Sequence, residues 1–304
     1  MSDGEAEARQ QERSLASLER GGLPLSAEAR LGELRAGAGA FTSDLSVGDF
    51  ALCRRLGLRP LSQVMGSSIY QMGYQGAWGP MGFGGPILTE LDTLSQALNE
   101  VRGRALTRLG LEARAVGADA VVGVQTRAGE SELETGTVAL EHVAMGTAVR
   151  REGARAEHPI LTELSVAEYA MLLEGGFEPL GIVAWSSVFF TSYVFGGMLG
   201  AGGLGVGTMA MGAQNFELRE FTQAVYSARE AVMGRIDGQA SALGASGVIG
   251  VRIGHSVRPH TLGGGVGMRE LRGLMVTFDV IGTAVREREE SFVHPPKPTI
   301  GLSG

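Results

Sequence analysis

The chain has 304 residues, 48 of them glycine, and only 19% of its residues are charged. The length predicts two domains, and the single cysteine, Cys53, excludes a small module held together by disulfides. The net charge is −7 and the basic residues, all arginine except Lys297, are scattered, which excludes a basic groove for nucleic acid. Because the start of the chain lacks the charged and apolar zones of a signal peptide, we expect a cytoplasmic protein.

In chain order, residues 1–40 are rich in Ala, Glu, Arg and Gln, which predicts a helical arm. Residues 41–150 then predict a short helix, a strand, a long loop, a main helix and two strands. Side chains at capping-box spacing begin both helices, and glycines end them. These residues are Ser46 with Asp49 and Gly57 for the short helix, and Thr89 with Asp92 and Gly117 for the main helix.

The pattern of residues 41–150 recurs in residues 161–286, so we predict two tandem domains of the same fold. The spacing between matching segments grows from 119 to 127 and then to 136 residues, which indicates loop insertions in the second copy. A Pro-rich, disordered tail is expected at residues 287–304. The matching segments are Leu45–Phe50 with Leu164–Tyr169, Gly117–Val124 with Gly244–Val251, and Gly146–Arg150 with Gly282–Arg286.

Between the first strand and the main helix of each copy lies a segment without any charged residue or histidine. These segments, Pro60–Thr89 and Pro179–Phe216, contain ten of the chain's 18 aromatic residues, including Trp78 and Trp185. Long loops usually carry function or assembly contacts, and contiguous apolar patches usually mark interfaces. We therefore expect both segments to face other copies or a cavity. A membrane span is disfavoured, because glycines interrupt the second segment.

The sequence GADAVVGV at residues 117–124, the Ala-rich helix before it and GTAV at residues 146–149 resemble the YbjQ-like domain, a family labelled heavy-metal-binding. The resemblance implies an α+β fold of two dodecin-like, two-layer domains, each with an antiparallel three-stranded sheet and a main helix. It also implies assembly as a homopentamer, without enzymatic activity. The second copy departs from the pattern, since Ser246 stands where the first has Asp119.

The expected five-fold symmetry has a geometric consequence. A ring of five domains cannot be completed by whole two-domain chains, because five is odd. If the symmetry persists, we expect five chains to form two stacked rings of five domains each.

Metal binding needs thiolate or imidazole ligands that converge, and the sequence has no pair of closely spaced cysteines. Cys53 aligns with Leu172, which favours a small core residue over a ligand. His255 and His260 fall in one Gly-rich turn and could meet around an ion, the alternative being an exposed loop. The candidates for a heavy-metal site are thus Cys53, His255 and His260, and the preferred interpretation is that the chain has no cofactor.

Nucleophilic catalysis is disfavoured as well. Ser67 and Ser68 recur as Ser186 and Ser187, but no histidine recurs beside them to act as a base. Hydroxyls that bond to the backbone are therefore favoured over nucleophiles. The run Gly200–Gly205 fits GxGxxG, yet the predicted helix begins a dozen residues too late to bind a phosphate.

The leading interpretation is a non-enzymatic, self-assembling protein whose partner is itself. The residues expected at its oligomer or ligand contacts are Ser67, Ser68, Trp78, Ser186, Ser187 and Trp185. One alternative is a metal-binding or metal-stress protein. A further alternative is a module that docks on membranes or binds a small ligand through the uncharged segments.

Overall fold

The helices and strands of the second repeat follow one another in the same order as those of the first. The computed structural model describes residues 3–71, 88–132, 138–151, 153, 157–192, 217, 219–262 and 271–288. The helices are α1 (Asp3–Glu19), α2 (Leu25–Arg35), α3 (Val47–Arg55), α4 (Asp92–Val116), α5 (Val166–Glu174) and α6 (Arg219–Ala242). The strands are β1 (Leu58–Gln71), β2 (Leu88–Glu90), β3 (Ala120–Glu132), β4 (Val138–Arg151), β5 (Ile160–Leu161), β6 (Phe177–Ser192), β7 (Gly247–Leu262) and β8 (Leu271–Glu287).

The described strands form two sheets of the same design. In the first sheet, β1, β4 and β3 are antiparallel neighbours in that order, and the short β5 is added parallel to β3. In the second sheet, β6, β8 and β7 are antiparallel neighbours in that order, and the short β2 is added beside β6. The two predicted α+β units with three-stranded antiparallel sheets are therefore confirmed, and each sheet gains one strand from the other repeat.

The irregularities of the strands repeat together with the sequence. The pairing of β1 with β4 shifts after Pro60, and that of β6 with β8 shifts after Pro179, 119 residues later. A bulge follows Val122 in β3, and its equivalent follows Ile249 in β7. Glycine occupies both bulges with positive φ, +63° at Gly123 and +62° at Gly250, where another residue would be strained.

A long helix packs on each sheet with its small apolar residues. This close packing is tightest where β1 passes under α4, since a Cβ atom on Gly66 would lie 1.9 Å from the carbonyl oxygen of Ala105. Only glycine fits there without a displacement of the helix. The buried helix residues are Ala105, Leu109, Ala113 and Val116 on the first sheet, and Ala224, Ala228, Val232 and Ile236 on the second.

The predicted N-terminal arm consists of α1 and α2, of which α2 packs on α4. Leu23 and Leu31 are buried in the core of the first domain. Arg30 forms a salt bridge of 2.9 Å with the buried carboxylate of Glu112, and Arg108 donates to the carbonyl oxygen of Leu18 at 3.2 Å. The arm is therefore an integral part of the first domain and covers one side of its main helix.

Two predictions of local structure differ from the observed fold. The uncharged segments do not begin as loops, because Pro60–Gln71 and Pro179–Ser192 continue the first strand of each sheet. Their side chains alternate between the two faces of the sheet, as in any strand. The predicted start of each loop was placed where charged residues stop, and this alternation was not taken into account. Thr89 lies in β2 and does not cap α4, which begins at Asp92 after Leu91. The rest of both segments and residues 289–304 of the expected tail lie outside the described residues.

Candidate functional site

The two domains exchange short strands at their contact. Residues of β2, which precede the main helix of the first domain, pair antiparallel with Phe189–Thr191 of β6 in the second sheet. The backbone N–H of Leu91 then donates to the carbonyl oxygen of Val188 at 2.7 Å. The free edge of β6 is thus covered by the first domain.

The second domain returns this contact through the segment before α5. Its β5 runs parallel to β3, where the N–H of Ile160 donates to the carbonyl oxygen of Asp119 at 3.0 Å. At the β3 bulge, the N–H of Gly123 donates to the carbonyl oxygen of Leu164 at 2.8 Å. The bulge therefore turns backbone donors of the first domain toward the second.

Side chains of α4 continue the backbone contact along β6. Asn99 accepts from the N–H of Ser186 at 2.9 Å and donates to its carbonyl oxygen at 2.7 Å, as a neighbouring strand would. One turn earlier, the hydroxyl of Ser95 accepts from the N–H of Val188 at 2.9 Å. The first half of α4 thus satisfies strand groups that would otherwise be buried without partners.

Charged groups meet in the middle of this contact. The guanidinium of Arg102, on α4 and almost fully buried, donates to the carboxylate of Asp279 on β8 and to the hydroxyl of Ser186 at 2.6 Å. Ser186 donates in turn to Asp279 at 2.5 Å. The buried guanidinium and its hydrogen-bond partners therefore link the main helix of the first domain to the sheet of the second.

His142 of β4 lies buried near the same charges. Burial, and next the positive charge of Arg102, lower the pKa of its imidazole from 6.5 to about 4. Among the described residues, its Nε2 atom and Nη1 of Arg102 are buried without a hydrogen-bond partner. The imidazole is therefore neutral at physiological pH, and its protonation would place a second positive charge beside Arg102.

An apolar contact completes the interface. The face of the first domain near α3 forms what we call the first groove, whose residues are Cys53, Leu58, Ala120, Val122 and Val149. Residues 160–169, the second leading segment, place Leu164, Val166 and Tyr169 in this groove. All three side chains are buried there, and burial raises the pKa of the Tyr169 phenol. The leading segment is held in shape by a capping box between Ser165 and Glu168 at the start of α5.

The serines and tryptophans expected at functional contacts have different positions. Ser186 is part of the domain contact, whereas Ser68 and Ser187 are buried inside the two domains, and the carbonyl of Ser67 accepts from Arg108 at 2.6 Å. The guanidinium carbon of Arg235 lies over the Trp185 ring, 5.1 Å from the centre of that ring. Trp185 also borders an open cavity of about 530 Å³ beside α4. Trp78 lies outside the described residues.

The candidate metal ligands are not brought together within the chain. Cys53 is buried in the first groove, where burial and then the charge of Asp49 raise the pKa of its thiol to about 11. His255 and His260 lie on β7 rather than in a turn, the first beside Phe278 and the second beside Phe190. In the part of the chain that the structure describes, no three His, Cys, Asp or Glu side chains converge as metal ligands would. The same residues include no helix long and apolar enough to cross a bilayer.

The sequence patterns did not reveal Asn99, Arg102 and Asp279 as contact residues. Asn99 and Arg102 fall on the polar side of an amphipathic helix, where solvent exposure is the usual explanation. A signal exists in the repeat itself, since Asp279 stands in an apolar strand where the first copy has Val143. A charge that appears in only one copy of a repeated strand indicates a contact made by that copy alone.

Comparisons with known proteins agree with the resemblance of the sequence. The YbjQ family, described as "Putative heavy-metal-binding", matches residues 82–152 and 205–288, which include the main helix and last two strands of each domain. The chain is 34% identical over 218 residues to the encapsulin nanocompartment protein Rv1762c of Mycobacterium tuberculosis, an alignment that covers 70% of this chain and 77% of that protein. No solved structure matches the chain. With the family pattern in both repeats and a relative aligned over most of its length, the chain belongs to the YbjQ family.

Proposed function

We propose that this protein is a non-enzymatic, self-assembling protein and that its two YbjQ-like domains also contact domains of other copies. The expected cytoplasmic location and the absence of a cofactor belong to this proposal. The support comes from the domain contact, which is a protein–protein interface between two similar units, formed from exchanged strands and buried side chains.

One pair of equivalent residues carries the proposal. Val188 of β6 is 0% exposed, because it packs against Leu91 and α4 of the first domain. Its equivalent in the first sheet, Ile69, is 72% exposed. An apolar side chain that is buried in one repeat and open in the other indicates that, within the part of the chain the structure describes, no neighbour covers this face of the first sheet.

The relative in Mycobacterium tuberculosis supports the same role. Its name associates that protein with an encapsulin nanocompartment, and the alignment covers most of both chains. We extend an assembling role to this chain, and the uncharged segments are proposed to face neighbouring copies or an enclosed cavity. The resemblance predicts five chains in two stacked rings as the arrangement of this assembly, and that prediction is separate from self-assembly itself.

The oligomeric state of the full chain tests the proposal directly. Light scattering and native mass spectrometry should give a particle of at least twice the chain mass of 31.8 kDa. The variant Ile69→Asp should give a smaller particle, because a carboxylate on this face opposes burial. Leu15→Asp is the matched control, since Leu15 is an exposed apolar residue of α1. A wild-type protein that remains a single chain at micromolar concentration would overturn the proposal.

The two other functions stay predictions of the sequence. A metal-binding role has a direct measurement, the Cu, Zn and Cd content of protein purified from metal-supplemented cells, and less than one ion per chain in every preparation would discard it. A membrane-docking role is tested by flotation with liposomes, in which Trp78→Ser and Trp185→Ser should both reduce the bound fraction. Flotation that neither substitution changes would count against that role.

A further inference from the structure

We infer that copies join head to tail through the same kind of contact that joins the two domains of one chain. In this contact, residues 41–50 of one copy, the first leading segment, occupy an apolar groove on the second domain of the next copy. The inference rests on the proposed self-assembly and identifies the two surfaces that perform it.

The receiving surface is the counterpart of the first groove in the second domain. At the equivalent positions it has Leu172, Phe177, Gly247, Ile249 and Val285, and we call this surface the second groove. Whereas the first groove holds Val166 and Tyr169, three residues of the second groove line an open cavity of about 390 Å³. These residues are Leu172, Phe177 and Ile249. The fold has therefore built the same apolar site twice, and the described residues fill only the first of them.

The inserting segment, like the groove, occurs once in each repeat. Val166 is 0% exposed in the first groove, whereas its equivalent in the first leading segment, Val47, is 89% exposed. Tyr169 is 7% exposed and its equivalent Phe50 is 41% exposed. Exposure of two such side chains on one short helix costs solubility and is typical of a surface that another protein covers.

The backbone beside the second groove is also available. In the first sheet, β3 is flanked by β5, whereas among the described strands β7 forms the edge of the second sheet. Val124, at the β3 bulge, is 1% exposed, and its equivalent Val251 is 39% exposed. Because edge strands readily accept another strand, β7 offers the place that β5 takes on β3.

The occupant is a second copy, because each leading segment is fixed to its own domain and reaches toward a neighbour. The hydroxyl of Thr162 lies 3.0 Å from that of Thr283 in its own sheet. At the equivalent positions, the hydroxyl of Ser43 lies 3.1 Å from that of Thr147. The same hydroxyl pair thus anchors each leading segment to its own sheet, and the domain that the first segment would reach is the second domain of another chain.

This contact is heterologous, since one surface inserts and a different surface receives. Repetition of such a contact produces closed rings or open filaments in which first and second domains alternate. A ring formed in this way has an even number of domains in one layer. It therefore differs from two stacked layers of five domains, and images of the particle separate the two arrangements.

Mixing of two variants tests the inference. Val47→Asp places a carboxylate on the inserting surface, and Val251→Asp places one on the receiving surface. Neither valine side chain is buried in the single chain. Each variant alone should be a single chain of 31.8 kDa in native mass spectrometry, with the thermal unfolding of a folded protein. Mixed in equal amounts, they should form a pair of twice that mass, because each retains the surface that the other lacks. Leu15→Asp should assemble as the wild type does.

The outcomes separate this inference from the proposed function. A wild-type protein that is itself a single chain overturns both. A wild-type oligomer whose mass neither Val47→Asp nor Val251→Asp reduces overturns the inference and leaves self-assembly standing. Two single-chain variants that do not pair on mixing also overturn it, since a head-to-tail contact leaves one intact surface on each.

Discussion

Arg102 of α4 and Asp279 of β8 form a salt bridge across the domain contact, although 177 residues separate them in the chain. Arg102 is almost fully buried, whereas the carboxylate of Asp279 is partly open to solvent. Because the carboxylate keeps part of its hydration, the pair avoids the full desolvation cost of a deeply buried ion pair. It therefore fixes the position of α4 on the second sheet at a moderate cost in free energy.

Replacement of Arg102 by leucine should lower the free energy of unfolding by about 1–3 kcal/mol, because Ser186 and Asp279 lose their shared donor. Urea unfolding of the full chain measures this change. The control is Arg104→Leu, which removes a solvent-exposed pair with Glu100 and should cost about 0.5 kcal/mol or less. Equal losses in the two variants would show that the buried pair does not stabilise the contact.

The buried imidazole of His142 predicts a loss of stability in acid. The unfolded chain takes up a proton at His142 below about pH 6.5, whereas the folded chain takes it up only near pH 4, so the free energy of unfolding falls as the pH drops between these values. The loss from this residue reaches about 3 kcal/mol. His142→Phe, which introduces the residue that the second domain has at this position, Phe278, should flatten the pH dependence measured by urea unfolding.

A second histidine provides the control for this experiment. His158 is exposed, and His158→Phe is the matched control for the replacement of a histidine by phenylalanine. If His142→Phe and the wild type lose stability in parallel between pH 6.5 and 4, the acid sensitivity originates elsewhere and the assignment to His142 is wrong.

The close approach of β1 to α4 predicts opposite effects for two glycines. Gly66→Ala should lower the free energy of unfolding by about 3 kcal/mol, because the new methyl group meets backbone atoms of α4, including the carbonyl oxygen of Ala105. Gly110→Ala, within α4 and facing open space, should instead raise it by about 0.5–1 kcal/mol through its helix propensity. Thermal unfolding of both variants measures the two signs. Stabilisation by Gly66→Ala would contradict the tight packing.

The sequence was sufficient for the architecture of each domain and insufficient for the contact between them. Local signals are strong at Ser165 and Glu168, the counterparts of the predicted pair Ser46 and Asp49, because they form a complete capping box. They are strong also at Gly117, which ends α4 with φ of +77°. The exchange of β2 leaves no such signal, because a strand of three residues shows no periodicity and its partner, β6, belongs to the other domain. Contacts between distant segments depend on how two folded units fit, which no local pattern encodes.

The two repeats differ in the environment of equivalent apolar residues, and this difference becomes apparent only in the structure. Ile69 and Val188 are equivalent in sequence and both apolar, so the pattern assigns them the same environment. Their different exposure depends on which domain has a neighbour in the same chain. The difference in exposure between these equivalent positions is therefore the observation on which the proposed contact with another copy rests.

The thiol of Cys53 should be unreactive in the folded protein. It is fully buried, and a pKa near 11 leaves about one hundredth of the thiolate that the ordinary value of 9.0 would give at pH 8. An aromatic disulfide reagent at that pH should therefore modify native Cys53 at least about 100-fold more slowly than the urea-unfolded chain. The control is Leu15→Cys in a Cys53→Ala background, whose exposed thiol on α1 should react at similar rates with and without urea. Rapid modification of native Cys53 would show that the first groove opens readily, and it would return this cysteine to the candidates for a soft-metal ligand.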